Sequence, residues 1–306
     1  MRSLLLLLCA LLCPGQNPPT FRGGVAVVRV DVQVLSGNTP VAGLQQSDFV
    51  LKEGGVDQPV RYFGHEDQPI DLVLLLDVST SMSPHISRVV EQAHTALGVL
   101  RPGDRVGIMV FDREARLRLP LEASVEKVRQ ALDETLHREH FRGGTDIHFG
   151  LYEAAKYLRR EARPEARRAT IILTDDLTER ARKDTLVLRG FHQAEAVLCA
   201  LVVEEKKKKR GHGNTQVGGV EELSGLTGGD SFRSTDAAPW LRTTLERLRR
   251  RYQLGFHLPE GLIPGSARGV SVELTPEAQR AWPKVRLQSR QTYIVPDPPA
   301  ARPLSE

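Results

Sequence analysis

The stretch LLLDVSTSM, residues 74–82, runs an apolar segment into a carboxylate and then sets hydroxyls at alternate positions: Asp77, Ser79 and Ser81. Two later stretches offer matching oxygen donors. In GGTD, Thr145 follows a pair of glycines; in IILTDD, Asp175 closes a second apolar run. Two carboxylates and three hydroxyls are hard donors, which suit Mg2+, Mn2+ or Ca2+ and not zinc. The two carboxylates balance a divalent ion, and a metal not saturated by protein charge attracts an outside carboxylate to an open position. Alone, DVSTS also fits a helix N-cap, a place that Asp and Ser both favour. The company of Thr145 and Asp175 favours a cation site.

Such chemistry needs elements that deliver the five residues to one place. IDLVLLLD, RVGIMVFD, ATIILTD and AVLCALVV are apolar runs of the kind buried on both faces of a parallel sheet. Between them lie helical patterns: SRVVEQAHTALGVL, SVEKVRQALDETL with Ser124 as its cap, and DIHFGLYEAAKYLRR with Ile147, Leu151, Ala154 and Leu158 as its apolar stripe. Further helices are expected around Asp184 to His192, at VEELSGL and at PWLRTTLERLRR, and shorter strands at ARLRL and DSFRS. This alternation predicts an α/β domain over residues 69–250, a doubly wound sheet with helices on both faces. In such a sheet ligands sit beyond the carboxyl ends of the strands, where Asp77 and Asp175 stand.

The flanks have a different texture. Residues 20–66 contain VAVVRVDVQV, with alternating valines, and two short strands around Gly54 and Gly55. Residues 251–296 contain YQLGFHL, GVSVEL and VRLQSRQTYIV. Neither set holds a core unaided, so the two segments are expected to share one small discontinuous β module. The tail, residues 297–306, reads as disordered.

Asp77-x-Ser79-x-Ser81 with Thr145 and Asp175 resembles the metal-ion-dependent adhesion site of von Willebrand factor type A domains, over roughly residues 69–250 and including TGGDSF near the last strand. The flanks are similar to the acidobacterial VWFA-related domain proteins, in GLQQSDFVLKEGG and YQLGFHLPE. The resemblance implies a Rossmann-like fold with an adhesion or protein-binding site. It implies that Ser79 and Ser81 contact the metal directly, that Thr145 does so in one conformational state, and that Asp77 and Asp175 act directly or through water. One departure is Asp176, where the family often has glycine.

Around this centre, Asp112, Arg113, Arg142 and Asp176 are expected on the ligand-binding rim, the arginines steering anions. The enzyme alternative is a metal-dependent hydrolase. It needs a general base or a second metal, for which only Asp112, Asp176 and Glu179 stand near the rim. No GxSxG elbow frames either serine. A binding module that meets a protein carboxylate, not an enzyme, is the reading adopted.

Other candidates are weaker. His137 and His140 in LHREHF lack the HExxH spacing and read as a solvated helix end. In RGHGNTQVGG a third phosphate-loop glycine is missing. EEKKKKRGHG reads as a solvated loop, and the five arginines of RTTLERLRRR, Arg242 to Arg251, as the wet face of the last helix. The 42 basic residues are offset by 38 acidic ones, a net charge of +4, so nothing points to nucleic acid.

Arg2 followed by Leu4 to Leu12 predicts a signal peptide over residues 1–15, with small residues Cys13 and Gly15 before Gln16. The run is too short to span a bilayer. Neither Cys9 nor Cys13 follows the small residue wanted for lipidation. A secreted or periplasmic protein is expected, with Cys199 as its remaining, buried thiol and no membrane span.

Overall fold

A computed structural model describes residues 27–141, 143–180, 184–204, 216–236 and 239–297. The expected signal peptide at 1–15, Arg142, residues 205–215 and residues 298–306 lie outside the described residues.

A six-stranded sheet forms the centre, in the order Ser231–Ser234, Ala196–Val203, Arg167–Thr174, Ile70–Asp77, Arg105–Phe111, Ala115–Glu122. The first five are parallel and the last is an antiparallel edge. All eight residues of Ile70–Asp77 are buried, because helices cover both faces. Its apolar run divides by alternation. Leu72, Leu74 and Leu76 pack with Ile86, Val89, Leu132 and Leu245 from the helices Ser83–Ala96, Val125–Arg138 and Trp240–Arg249. Val73 and Leu75 pack on the other side with Leu151, Leu158, Phe191 and Leu223 from Ile147–Glu161, Asp184–Ala194 and Val220–Leu226. This is the expected doubly wound α/β arrangement.

Caps fix where the helices near the site begin. Ser124 Oγ accepts from Lys127 N at 3.3 Å, and Asp146 Oδ1 accepts from Phe149 N at 2.9 Å. Register then aligns the strand ends: Asp77 lies opposite Phe111, and Leu76 opposite Leu173, so Asp77 and Thr174 emerge side by side.

The flanking segments build two antiparallel sheets together. Val27–Ser36 pairs with Tyr252–His257 and Val285–Ser289, and Tyr62–Gly64 adds to Tyr252–His257. In the second sheet Phe49–Glu53 lies between Val56–Gln58 and Ala267–Leu274, with Thr292–Ile294 beyond. Val30, Val32, Leu51, Tyr252, Leu254, Phe256 and Val270 share one core. Gly54 and Gly55, at φ 55° and 83°, make the tight turn between the paired strands on either side of them.

Three expectations are corrected here. VRLQSRQTYIV is two strands, broken where buried Arg290 donates to Arg29 O and to His192 O. A short helix, Pro276–Ala281, capped by Thr275, interrupts the C-terminal β texture. The arginines of RTTLERLRRR are not a wet face, for Arg247, Arg249 and Arg251 are buried. Arg249 pairs with Asp104, Arg247 with Asp230 at 3.3 Å, and Arg251 donates to Gln33 and Gly228 O. Each guanidinium serves several acceptors at once, which is how a positive head becomes tolerable away from water.

Candidate functional site

The site forms where three strand ends and their loops meet. Val78 N donates to Phe111 O at 2.9 Å, carrying the pairing one residue past Asp77. The chain then turns through the short helix Thr80–Met82 into Ser83–Ala96. Asp77 is fully buried. Its Oδ1 accepts from Ser79 N at 2.9 Å and its Oδ2 from Thr174 Oγ1 at 2.6 Å. Burial pushes the Asp77 carboxyl up to about 7; the bonds from Ser79 and Thr174 oppose the rise, and the nearby Asp175 charge adds to it. The hydroxyls of Ser79 and Ser81 lie 3.2 Å apart.

Asp175 follows the strand Arg167–Thr174. Its Oδ1 accepts from Leu177 N at 3.1 Å, while its Oδ2 is buried and has no hydrogen-bond partner among the described residues. Thr145, also buried, sits on the loop alongside. Thr80 Oγ1 reaches Gly143 O in that loop at 3.4 Å, and Thr145 O accepts from Thr178 Oγ1 at 3.1 Å and Glu179 N at 2.8 Å. Asp146 N on Asp112 O, at 2.8 Å, ties the loop to the third strand end.

Among the described residues, Asp77 and Asp175 form no ion pair with a lysine or arginine. An orphaned carboxylate oxygen, a buried carboxylate held only by neutral donors, and two adjacent hydroxyls fit a hard divalent cation. No group of three or more His, Cys, Asp or Glu side chains that could hold a metal ion is found among the described residues. His137 stays at its helix end, Nδ1 against Asp133 O at 2.8 Å. Cys199 is buried and free, and burial pushes its thiol up to about 12.

Asp112, Arg113 and Asp176 are each engaged by a side chain of opposite charge. Asp112 is gripped by Arg116 at 3.1 and 2.8 Å. Burial acts to raise its carboxyl, but the Arg116 fork and backbone amides outweigh burial and hold it below the usual range. Arg113 forks onto Glu179, which lowers the Glu179 carboxyl. Asp176, expected on the rim, directs Oδ1 to Val220 N at 3.2 Å and Oδ2 to Arg233 at 3.0 Å. Its φ of 62° accounts for that direction. This left-handed conformation costs glycine nothing, so glycine is the residue such a position favours. Thr174, absent from the sequence reading, is the main addition: a hydroxyl closing an apolar strand was its signal.

Residues 72–177 match the family model of the von Willebrand factor type A domain. The chain carries a von Willebrand factor type A domain. No curated protein matches the chain. Among solved structures, an aerotolerance-related membrane protein from Bacteroides fragilis is similar at 15% identity and a TM-score of 0.46, over 58% of this chain and 98% of that one. A von Willebrand factor type A protein from Catenulispora acidiphila shares 13% identity over 90% of this chain and 76% of its own, with a TM-score of 0.46. Proximal thread matrix protein 1 from the mussel byssus, solved with a zinc-occupied MIDAS motif, is 14% identical over 59% of this chain and 48% of that one, with a TM-score of 0.46. At such scores none bears on what this von Willebrand factor type A domain binds. No helix among the described residues is long and apolar enough to cross a membrane.

Proposed function

We propose that this chain is an exported binding module, secreted or periplasmic. In this reading Asp77, Ser79, Ser81, Thr145 and Asp175 hold Mg2+, Mn2+ or Ca2+, and a protein partner is engaged through a carboxylate. The observation that carries this reading is the Asp175 Oδ2 atom, buried without a partner among the described residues, beside a fully buried Asp77 that no described cationic side chain neutralises. When bound, such an ion supplies an open coordination position to an outside carboxylate. The chain's own part is to hold the donors in place: Thr174 and the Ser79 amide fix Asp77, and the Leu177 amide fixes Asp175. The von Willebrand factor type A domain is taken to span 69–250, flanked by the β segments 20–66 and 251–296. Each carboxylate considered as a base on the rim, Asp112, Asp176 or Glu179, is committed to an arginine, which supports binding over hydrolysis.

Calorimetric titration with Mn2+ tests the site. Wild type takes up the ion, Asp77→Ala and Ser79→Ala lose it, and Thr145→Ala weakens it less, since water replaces one hydroxyl among several donors. Equal affinity in all four proteins would mean that the cluster is a helix cap and nothing more.

A further inference from the structure

We propose that Glu179 is an internal placeholder on the rim, a carboxylate that the acidic side chain of a protein partner displaces from Arg113; this rests on the cation-site reading above. Arg113 Nε and Nη2 donate to the two Glu179 oxygens at 2.8 and 2.9 Å, a two-point fork shaped for a carboxylate. The fork joins the turn after Arg105–Phe111 to the segment after Asp175, and it crosses the loop that bears Thr145. The crossing point is Gly144. A Cβ added there would fall 1.7 Å from Glu179 Oε1, so the carboxylate rests on bare backbone one residue before Thr145.

Two observations distinguish this from a simple loop staple. The Thr145 loop is held without the fork, by Glu179 N and Thr178 Oγ1 on Thr145 O. The fork is also the most solvated arginine pair on the rim. The side chains of Arg113 and Glu179 are 59% and 34% exposed, against 29% and 19% for Arg116 and Asp112 and 36% and 3% for Arg233 and Asp176. An exposed pair contributes little to stability, so exchanging its anion for another costs little. An incoming aspartate or glutamate takes the place of Glu179 on Arg113, the charge at Arg113 stays balanced, and the released carboxylate turns to water. Asp112 and Asp176, more deeply set, remain with their own arginines.

The test measures binding of the full chain to immobilised polyglutamate in Mg2+, beside calorimetry with Mn2+. Glu179→Gln keeps the side-chain shape, gives up the anion, and binds polyglutamate roughly two- to fivefold tighter. Arg113→Gln binds it more weakly, with a shallower salt dependence. Mn2+ affinity in both stays within about twofold of wild type, because exposed charges are screened. Three results would overturn the placeholder: no tightening in Glu179→Gln with Mn2+ affinity intact, a fall in Mn2+ affinity in that variant, which makes the fork a staple, or wild type that takes up Mn2+ but ignores polyglutamate. Wild type that takes up no Mn2+ would overturn the cation reading beneath it instead.

Discussion

Asp77 has two oxygens and two kinds of donor, an amide and a hydroxyl, and the hydroxyl is the one open to a near-isosteric test. Thr174 Oγ1 donates to Asp77 Oδ2 at 2.6 Å and accepts from Asp176 N at 3.1 Å, so it orients a candidate ligand and anchors the turn beyond Asp175. Thr174→Val keeps the volume and removes both bonds. A hydrogen bond to a buried charged group is worth about 1.5–3 kcal/mol, so Mn2+ affinity should fall by roughly ten- to a hundredfold. Thr174→Ser should recover most of it, because the hydroxyl returns. Calorimetry on the two variants decides the matter, and full affinity in Thr174→Val would leave the Ser79 amide as sufficient to orient Asp77. The five candidate donors stand out as residue types because carboxylates and hydroxyls at strand ends are conspicuous. The helpers were not: Thr174 hides in a strand whose neighbours are apolar, and the direction of Asp176 depends on a backbone angle that residue type does not reveal.

Among the elements, the helix Ile147–Glu161 carries the Thr145 loop on its N-terminal end and packs on the strand Arg105–Phe111. At Gly150 an added Cβ would lie 2.8 Å from Phe111 Cγ. Glycine inside a helix normally costs about 1 kcal/mol against alanine. Here Gly150→Ala drives a methyl into the root of a buried ring, and overpacking of that kind costs about 1–3 kcal/mol. The substitution should therefore destabilise in urea unfolding, against its helix propensity; a stabilised variant would show that the ring moves aside freely. The sheet itself was readable because strands buried on both faces are nearly unbroken apolar runs, as Ile70–Asp77 is. Ile147, Leu151, Ala154 and Leu158 were readable for the complementary reason, a stripe at helical spacing that is fully buried. Readability failed where polar residues are inside. Arg290 splits a strand that its neighbours alone would continue, and Arg247, Arg249 and Arg251 look like solvent-facing charge until their acceptors are known.

Those arginines belong to a seam between the six-stranded sheet with its helices and the flanking antiparallel sheets, and Arg167 is part of it. Arg167 is fully buried at the start of the strand Arg167–Thr174. It donates to Asp31 Oδ1 in the first β strand at 2.7 Å, to Leu248 O and Arg251 O at 2.7 Å, and to Gln68 Oε1 at 3.1 Å. The carbonyls come from the end of the helix Trp240–Arg249 and the chain leaving it, so one guanidinium joins the central sheet, that helix and the flanking sheets. Removing one member of a buried pair costs about 3–5 kcal/mol, because the other charge is left in a poor solvent. Arg167→Met should lower the unfolding free energy by that amount in urea titrations. Adding Asp31→Leu removes the stranded charge, and for an isolated ion pair that exchange restores stability. In this seam the double variant should recover only part of the loss, because Leu248 O, Arg251 O and Gln68 Oε1 remain buried without the Arg167 donor, and each unmet acceptor costs about 1–3 kcal/mol. A double variant as stable as wild type would show that the ion pair was the whole contribution of Arg167, and that the backbone carbonyls find other donors or water.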